Sequence, residues 1–132
     1  MHLTRHTDYA LRLLIHLAGA EEHRASIAEV AEGQAISRAH LMKVANGLAH
    51  AGFIEATRGR GGGIRLARAP GEINIAEVVR AMEPGCKLVS CVGCQLIARC
   101  GLPSMLDEAV AAFNASLAKY TLADVLAAPR GG

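Results

Sequence analysis

This sequence predicts a mainly α-helical fold with one small β-hairpin, and three observations carry that expectation. Apolar residues recur at helical spacing in six separate segments, whereas strand-like alternation is confined to Phe53–Thr57 and Ile64–Ala67, with a glycine-rich turn between them. The 132 residues are 52% hydrophobic but 3% aromatic, so the core must be built from Ala, Leu, Ile and Val, with Tyr9, Phe53, Phe113 and Tyr120 as its rings. Domains commonly run to about 100 to 150 residues, so the length suits one domain with an appended helix and excludes two full enzyme domains. The apolar content excludes a disordered chain.

Taken in order, Tyr9 to Ala18 places Leu11, Leu14, Ile15 and Ala18 on one face of a first helix, with Thr7 as the expected N-cap and Gly19 as the stop. Ser26 followed three residues later by Glu29 is a capping-box pattern opening a short second helix that turns Ile27, Val30 and Ala31 inward and ends at Gly33. Ser37 caps a third, Arg38 to about Ala51, with Leu41, Val44, Ala45 and Leu48 as its apolar face and Gly52 as its breaker. Two helices joined by a tight turn form a helix-turn-helix, and the following hairpin with the tip Arg58-Gly-Arg-Gly-Gly-Gly adds a wing.

Beyond Pro70-Gly71, a helix from about Ala76 to Met82 is broken by Pro84-Gly85, and the stretch to Gly101 reads as a loop. Pro103 suits the first turn of a long helix reaching Lys119, whose stripe of Met105, Leu106, Ala109, Val110, Phe113 and Leu117 has no partner left in so short a chain. A twofold dimer would bury it. Thr121 caps a last helix, Leu122 to about Ala127, and Pro129 to Gly132 reads as a frayed tail. The expected architecture is therefore a winged helix-turn-helix with a C-terminal dimerisation helix, residues 1–70 forming the DNA-binding domain and 71–132 the loop and dimerisation helix.

The net charge of +2 is too small to argue for nucleic acid, but its distribution is uneven. Residues 1–70 carry nine Lys/Arg against six Asp/Glu, while 71–132 carry five against six. Arg58, Arg60, Arg65 and Arg68 lie within eleven residues that contain no acid, a patch able to hold phosphate. Ser37, Arg38, His40, Lys43 and Asn46 form the polar face of the third helix, and these are side-chain types that reach base edges and phosphates. Any amphipathic helix has a polar face. The combination with a glycine-arginine wing and a dimerisation helix is what makes double-stranded DNA the expected partner, with Ser37, Arg38, His40 and Lys43 in the major groove and Arg58 and Arg60 on the adjacent minor groove or backbone.

All four cysteines, Cys86, Cys91, Cys94 and Cys100, fall within fifteen residues, too close together to staple distant parts of a fold. Neither a run of about 18 apolar residues nor a signal peptide is present, so a cytoplasmic, reducing setting is expected, in which clustered thiols bind metal or react. The spacing C-x4-C-x2-C-x5-C serves tetrahedral zinc and an iron-sulfur cluster equally. Cys91-Val-Gly-Cys94 also has the spacing of a thiol oxidoreductase but lacks the βαβ setting, and Cys86 alone could be a buried apolar residue. None of the six histidines shows metal-ligand spacing. Ser/His/Asp and phosphate-loop patterns are absent too, since Gly59 to Gly63 leads into a strand, so no enzyme is expected.

The opening Leu3-Thr4-x-x-Thr7-Asp8-Tyr9-Ala-Leu-Arg12, the helix Ser37-Arg-x-His-Leu-x-Lys43, the wing, the Cys94-x5-Cys100 loop and the closing Tyr120-Thr-Leu-Ala-Asp-Val-Leu126 together resemble the NsrR-type repressors, which share a winged-helix family with the iron-sulfur regulator IscR. The resemblance covers nearly the whole chain. It implies a homodimer on a palindromic operator, repressing nitrosative-stress genes and sensing nitric oxide through an iron-sulfur cluster, [4Fe–4S] in preference to [2Fe–2S]. Three cysteines would hold it, Cys91, Cys94 and Cys100, with Asp8 from the partner's first helix as fourth ligand. Two departures bear on this assignment: Cys91 and Cys94 are unusually close, and Cys86 is an extra thiol that could replace Cys91 as first ligand. IscR-type proteins use a histidine three residues after the last cysteine, where this chain has Pro103. The alternatives are a general iron-sulfur or redox-status regulator of the IscR type, or a zinc-stabilised or thiol-redox module with no role on DNA.

Overall fold

The structure, a computed structural model, describes residues 2–59, 62–85 and 88–127; Arg60, Cys86 and the tail from residue 128 lie outside the described residues. Six α-helices are present among them, α1 (Arg5–Gly19), α2 (Ile27–Gln34), α3 (Arg38–His50), α4 (Ile75–Met82), α5 (Leu102–Leu117) and α6 (Leu122–Ala127). Three short strands, β1 (Arg24–Ala25), β2 (Ile54–Thr57) and β3 (Gly63–Leu66), pair antiparallel in the order β1-β3-β2. The hairpin is the expected wing. Strand β1 was not expected, because two residues are too few to show alternation. It explains Gly63, where a Cβ would stand 2.5 Å from the Ala25 carbonyl oxygen.

Caps set most helix ends. Ser26 Oγ accepts from Glu29 N at 3.1 Å and Ser37 Oγ from His40 N at 3.2 Å, as the sequence predicts. Helix α3 closes as a Schellman motif, with Gly52 at φ +86°, Gly52 N donating to Ala49 O and Phe53 N to Leu48 O. Helix α2 closes in a similar way, later than expected. Gly33 is helical, and Ala35 takes the left-handed position at φ +54°, with Ile36 N on Ala31 O.

Helix α1 begins earlier than predicted, and its apolar face is wider than the four residues read from the sequence. Thr4 is the N-cap, and Thr7 is a fully buried helical residue. Ala10, Leu13, Leu14, Leu17 and Ala18 are buried, while Leu11 and Ile15 flank the core half-buried. With apolar residues on nearly every side of this segment, periodicity alone could not fix the rotation. Helix α1 packs against α2, α3, α4 and α6, so a single core joins Leu13, Leu14 and Leu17 to Leu41 and Leu48, and to Ile73, Val78 and Leu122 from the second half of the chain. The return into α6 is pinned to the start of α4, where Ile75 N donates to Tyr120 O, Leu122 N to Ile73 O and Asn74 Nδ2 to Ala118 O. Helix α5, by contrast, has no fully buried residue: Met105 is 67% and Phe113 38% exposed. No helix among the described residues is long and apolar enough to cross a membrane.

Left-handed backbone costs a residue with a Cβ about 1 kcal/mol relative to glycine. Ala35→Gly is therefore expected to raise the unfolding free energy by about that amount, read as a higher urea midpoint at unchanged slope.

Candidate functional site

The prospective DNA face is built on α3 and the wing. Ser37, Arg38, Lys43 and Asn46 are exposed on α3 and its cap, and the helix carries no acidic residue. His40 is more constrained: its ring meets Tyr9 edge-on at 4.7 Å between centroids and is half-buried. The Arg12 guanidinium lies 5.8 Å from the centre of the same tyrosine ring.

In the wing, Thr57 Oγ1 accepts from Gly63 N at 3.0 Å and Gly62 N donates to Gly59 O at 2.9 Å. A Cβ on Gly62 would approach Thr57 O to 2.6 Å, so this tight tip requires glycine there. Arg58 is exposed at the tip. The predicted patch of four arginines shrinks here, because Arg65 pairs with Glu55 directly across the ladder at 2.9 Å. Arg68 lies 3.6 Å from Glu77 and over the Phe53 ring. Arg65 thus braces the hairpin internally with its side chain still half exposed, whereas Arg68 ties the base of the wing to α4.

The cysteine loop is shaped by turns. Cys94 N donates to Cys91 O at 3.1 Å, and Gly93 between them has φ +76°, the signature of a type II turn that needs glycine at its third position. The C-x2-C pair is thereby gathered on one turn. Cys91 is half-buried, Cys94 and Cys100 are exposed, and all three are free thiols. Cys91 and Cys100 line one open cavity of about 890 Å³, together with Leu88, Ile97, Leu106 and Asp107. Within one chain the expected ligands do not converge, and among the described residues no three His, Cys, Asp or Glu side chains are grouped to hold a metal. Asp8 stands on the first turn of α1 with both carboxylate oxygens on Arg12, at 3.0 and 3.3 Å.

The donor set itself suits an iron-sulfur cluster, since three unpaired thiols lie within ten residues of a helix-free segment and the carboxylate is at the surface.

Sequence reasoning missed Glu83. Placed at the end of α4, its carboxylate accepts from Thr4 N at 3.3 Å, from Thr4 Oγ1 at 3.2 Å and from the buried Thr7 hydroxyl. It thus caps α1 from 79 residues away and anchors the chain where the loop begins. A negative charge at a helix N-terminus is favourable. Nothing local in Met82-Glu83-Pro84 announces the contact.

The sequence pattern described as "Rrf2: Iron-dependent Transcriptional regulator" matches residues 3–128. The chain belongs to the Rrf2 family. Among its relatives is the HTH-type transcriptional regulator NsrR of Bacillus subtilis (strain 168), 46% identical over 96% of this chain and 90% of that protein. NsrR of Shouchella clausii (strain KSM-K16) is 45% identical over 96% and 89%. The solved structure of T. potens IscR superposes with a TM-score of 0.76 at 25% identity, covering 96% of this chain and 86% of its own. This Rrf2 protein is accordingly a transcriptional regulator with a winged helix, and not an enzyme.

Leaving Thr4 N and the Thr7 hydroxyl without their acceptor costs about 1 to 3 kcal/mol. Glu83→Ala is expected to lower stability by that much in urea unfolding, with Glu83→Gln, which keeps an acceptor oxygen, losing less.

Proposed function

We propose that this chain is a homodimeric repressor that binds a palindromic operator and senses nitric oxide through an iron-sulfur cluster. The observation that carries this reading is the position of three free thiols, Cys91, Cys94 and Cys100, on a turn-built loop between a basic helix-turn-helix half and the uncovered helix α5. Near full-length likeness to NsrR proteins supports it.

In this reading residues 1–70 are the DNA-binding part. Ser37, Arg38, His40 and Lys43 enter the major groove, and Arg58 and Arg60 reach the adjacent minor groove or backbone. Residues 71–132 provide the cluster loop and the dimerisation helix. Of the thirteen large hydrophobic side chains exposed among the described residues, eleven lie at or beyond residue 88, on the loop, α5, α6 and the turn between those helices. A second copy packed on that surface would cover them.

Cys91, Cys94 and Cys100 would hold the cluster, with Asp8 of the partner subunit as fourth ligand and [4Fe–4S] the favoured type. Bound there, the cluster supplies iron with which nitric oxide can react. The protein residues around it determine how that reaction reaches the DNA face. A carboxylate is a hard, weakly held ligand beside three thiolates, so the Asp8 position is the exchangeable one. Both Asp8 oxygens serve Arg12 in the single chain, and a carboxylate that ligates metal gives up at least part of that pairing. Arg12 lies over Tyr9, and Tyr9 meets His40 on α3, so a contiguous set of contacts runs from Asp8 to the recognition helix. Cytoplasmic placement fits this role.

Protein purified without oxygen is expected to be brown, with visible absorption that bleaches on adding nitric oxide. In Asp8→Ala the colour should be lost to an iron chelator at least about tenfold faster than in the wild type, as expected for removal of one of four ligands. A colourless zinc protein refutes the reading; an unchanged chelation rate refutes the role of Asp8. On DNA, log affinity should fall linearly with log salt, and Arg58→Ala should flatten the slope by about 0.9 for each phosphate that Arg58 neutralises.

A further inference from the structure

Among the described residues from 4 to 85, one large hydrophobic side chain is exposed, Met42, at 48%. It lies on α3, the helix that presents Arg38, Lys43 and Asn46 to solvent, and it falls in the row Arg38, Met42, Asn46 at four-residue spacing. Ala39 is exposed one turn before it. The opposite face of the helix, Leu41, Val44, Ala45 and Leu48, is buried in the core, so Met42 cannot turn inward. An unbranched apolar side chain therefore stands between two cations on an acid-free helix face. Those cations match a polyanion, and the apolar group between them matches the apolar feature that B-DNA offers in its major groove, the C5 methyl of thymine.

We propose that Met42 is a specificity-determining residue that reads a thymine methyl in each operator half-site. Arg38 and Lys43 bring the helix to the backbone and the polar base edges, and Met42 packs its side chain on the methyl. This assignment rests on the reading of α3 as the recognition helix. Met42 is a flexible side chain outside the hydrophobic core, so its replacement leaves the fold intact.

The test is a comparison of duplexes that differ by one methyl. The wild-type dimer first selects its preferred sites from a pool of random duplexes, and each dT of the selected site is then replaced singly by dU, which pairs identically but lacks the methyl. The wild type is expected to bind about fourfold more weakly when one particular dT in each half-site is replaced, the worth of one buried methyl group. Met42→Ala should bind the dT and dU duplexes equally at that position, whereas Met42→Leu, which keeps an apolar contact, should retain most of the difference. A wild type indifferent to dU at every position overturns the proposal, as does a Met42→Ala variant with the full wild-type penalty. Failure of the wild type to enrich any sequence overturns the recognition-helix reading and this proposal together, so the two failures are distinct.

Discussion

The carboxylate of Glu83 ties the start of the first helix to the root of the cysteine loop. It fills the N-terminal turn of α1 with an acceptor for Thr4 and Thr7, and it does so from the last residue before Pro84, where the loop departs. Thr7 is fully buried, so its hydroxyl could not be left unpaired without cost. Asp8 is the next residue. The same contact that starts α1 therefore fixes the turn bearing the proposed carboxylate ligand and the root of the loop bearing the proposed thiolate ligands.

The rest of the molecule is organised around that anchor. Helix α1 is the hub of an aliphatic core that takes in α3, α4 and α6, so α3 and the root of the loop are attached to the same element. Cores of this kind transmit small displacements as rigid-body shifts rather than absorbing them. Exposed apolar side chains concentrate on the loop, α5 and α6, whereas exposed cations are spread over α1, α3, the wing, α4 and the loop. Met42 lies outside that apolar concentration, among the cations of α3.

Much of this was legible in the sequence wherever the determining chemistry is local. Ser26 and Ser37 bond the backbone three residues on, and Gly52 closes α3 in a conformation that glycine favours, so those boundaries come from short patterns. The end of α2 was misplaced because Ala35 adopts a conformation its residue type does not advertise. Leu14 and Ala18 were placed correctly on the buried face of α1, but Ala10, Leu13 and Leu17 were not, because its apolar residues are spread around the helix and the core that covers them is distant in sequence. Of the basic patch, the pairing of Arg65 and Arg68 was not legible, because their partners Glu55 and Glu77 lie on the neighbouring strand and on α4. The thiols were legible as a cluster of donors, but not their arrangement, because a loop without helical or strand pairing leaves no periodicity to read.

Metal chemistry at the loop is proposed to control the grip of α3 and the wing on DNA. The most direct test is operator affinity of the anaerobically purified dimer, measured by fluorescence anisotropy while nitric oxide is added stepwise and visible absorption is followed in the same sample. Affinity should fall in proportion to the bleaching of the absorption. An affinity that stays constant while the absorption bleaches would contradict control of DNA binding by the cluster.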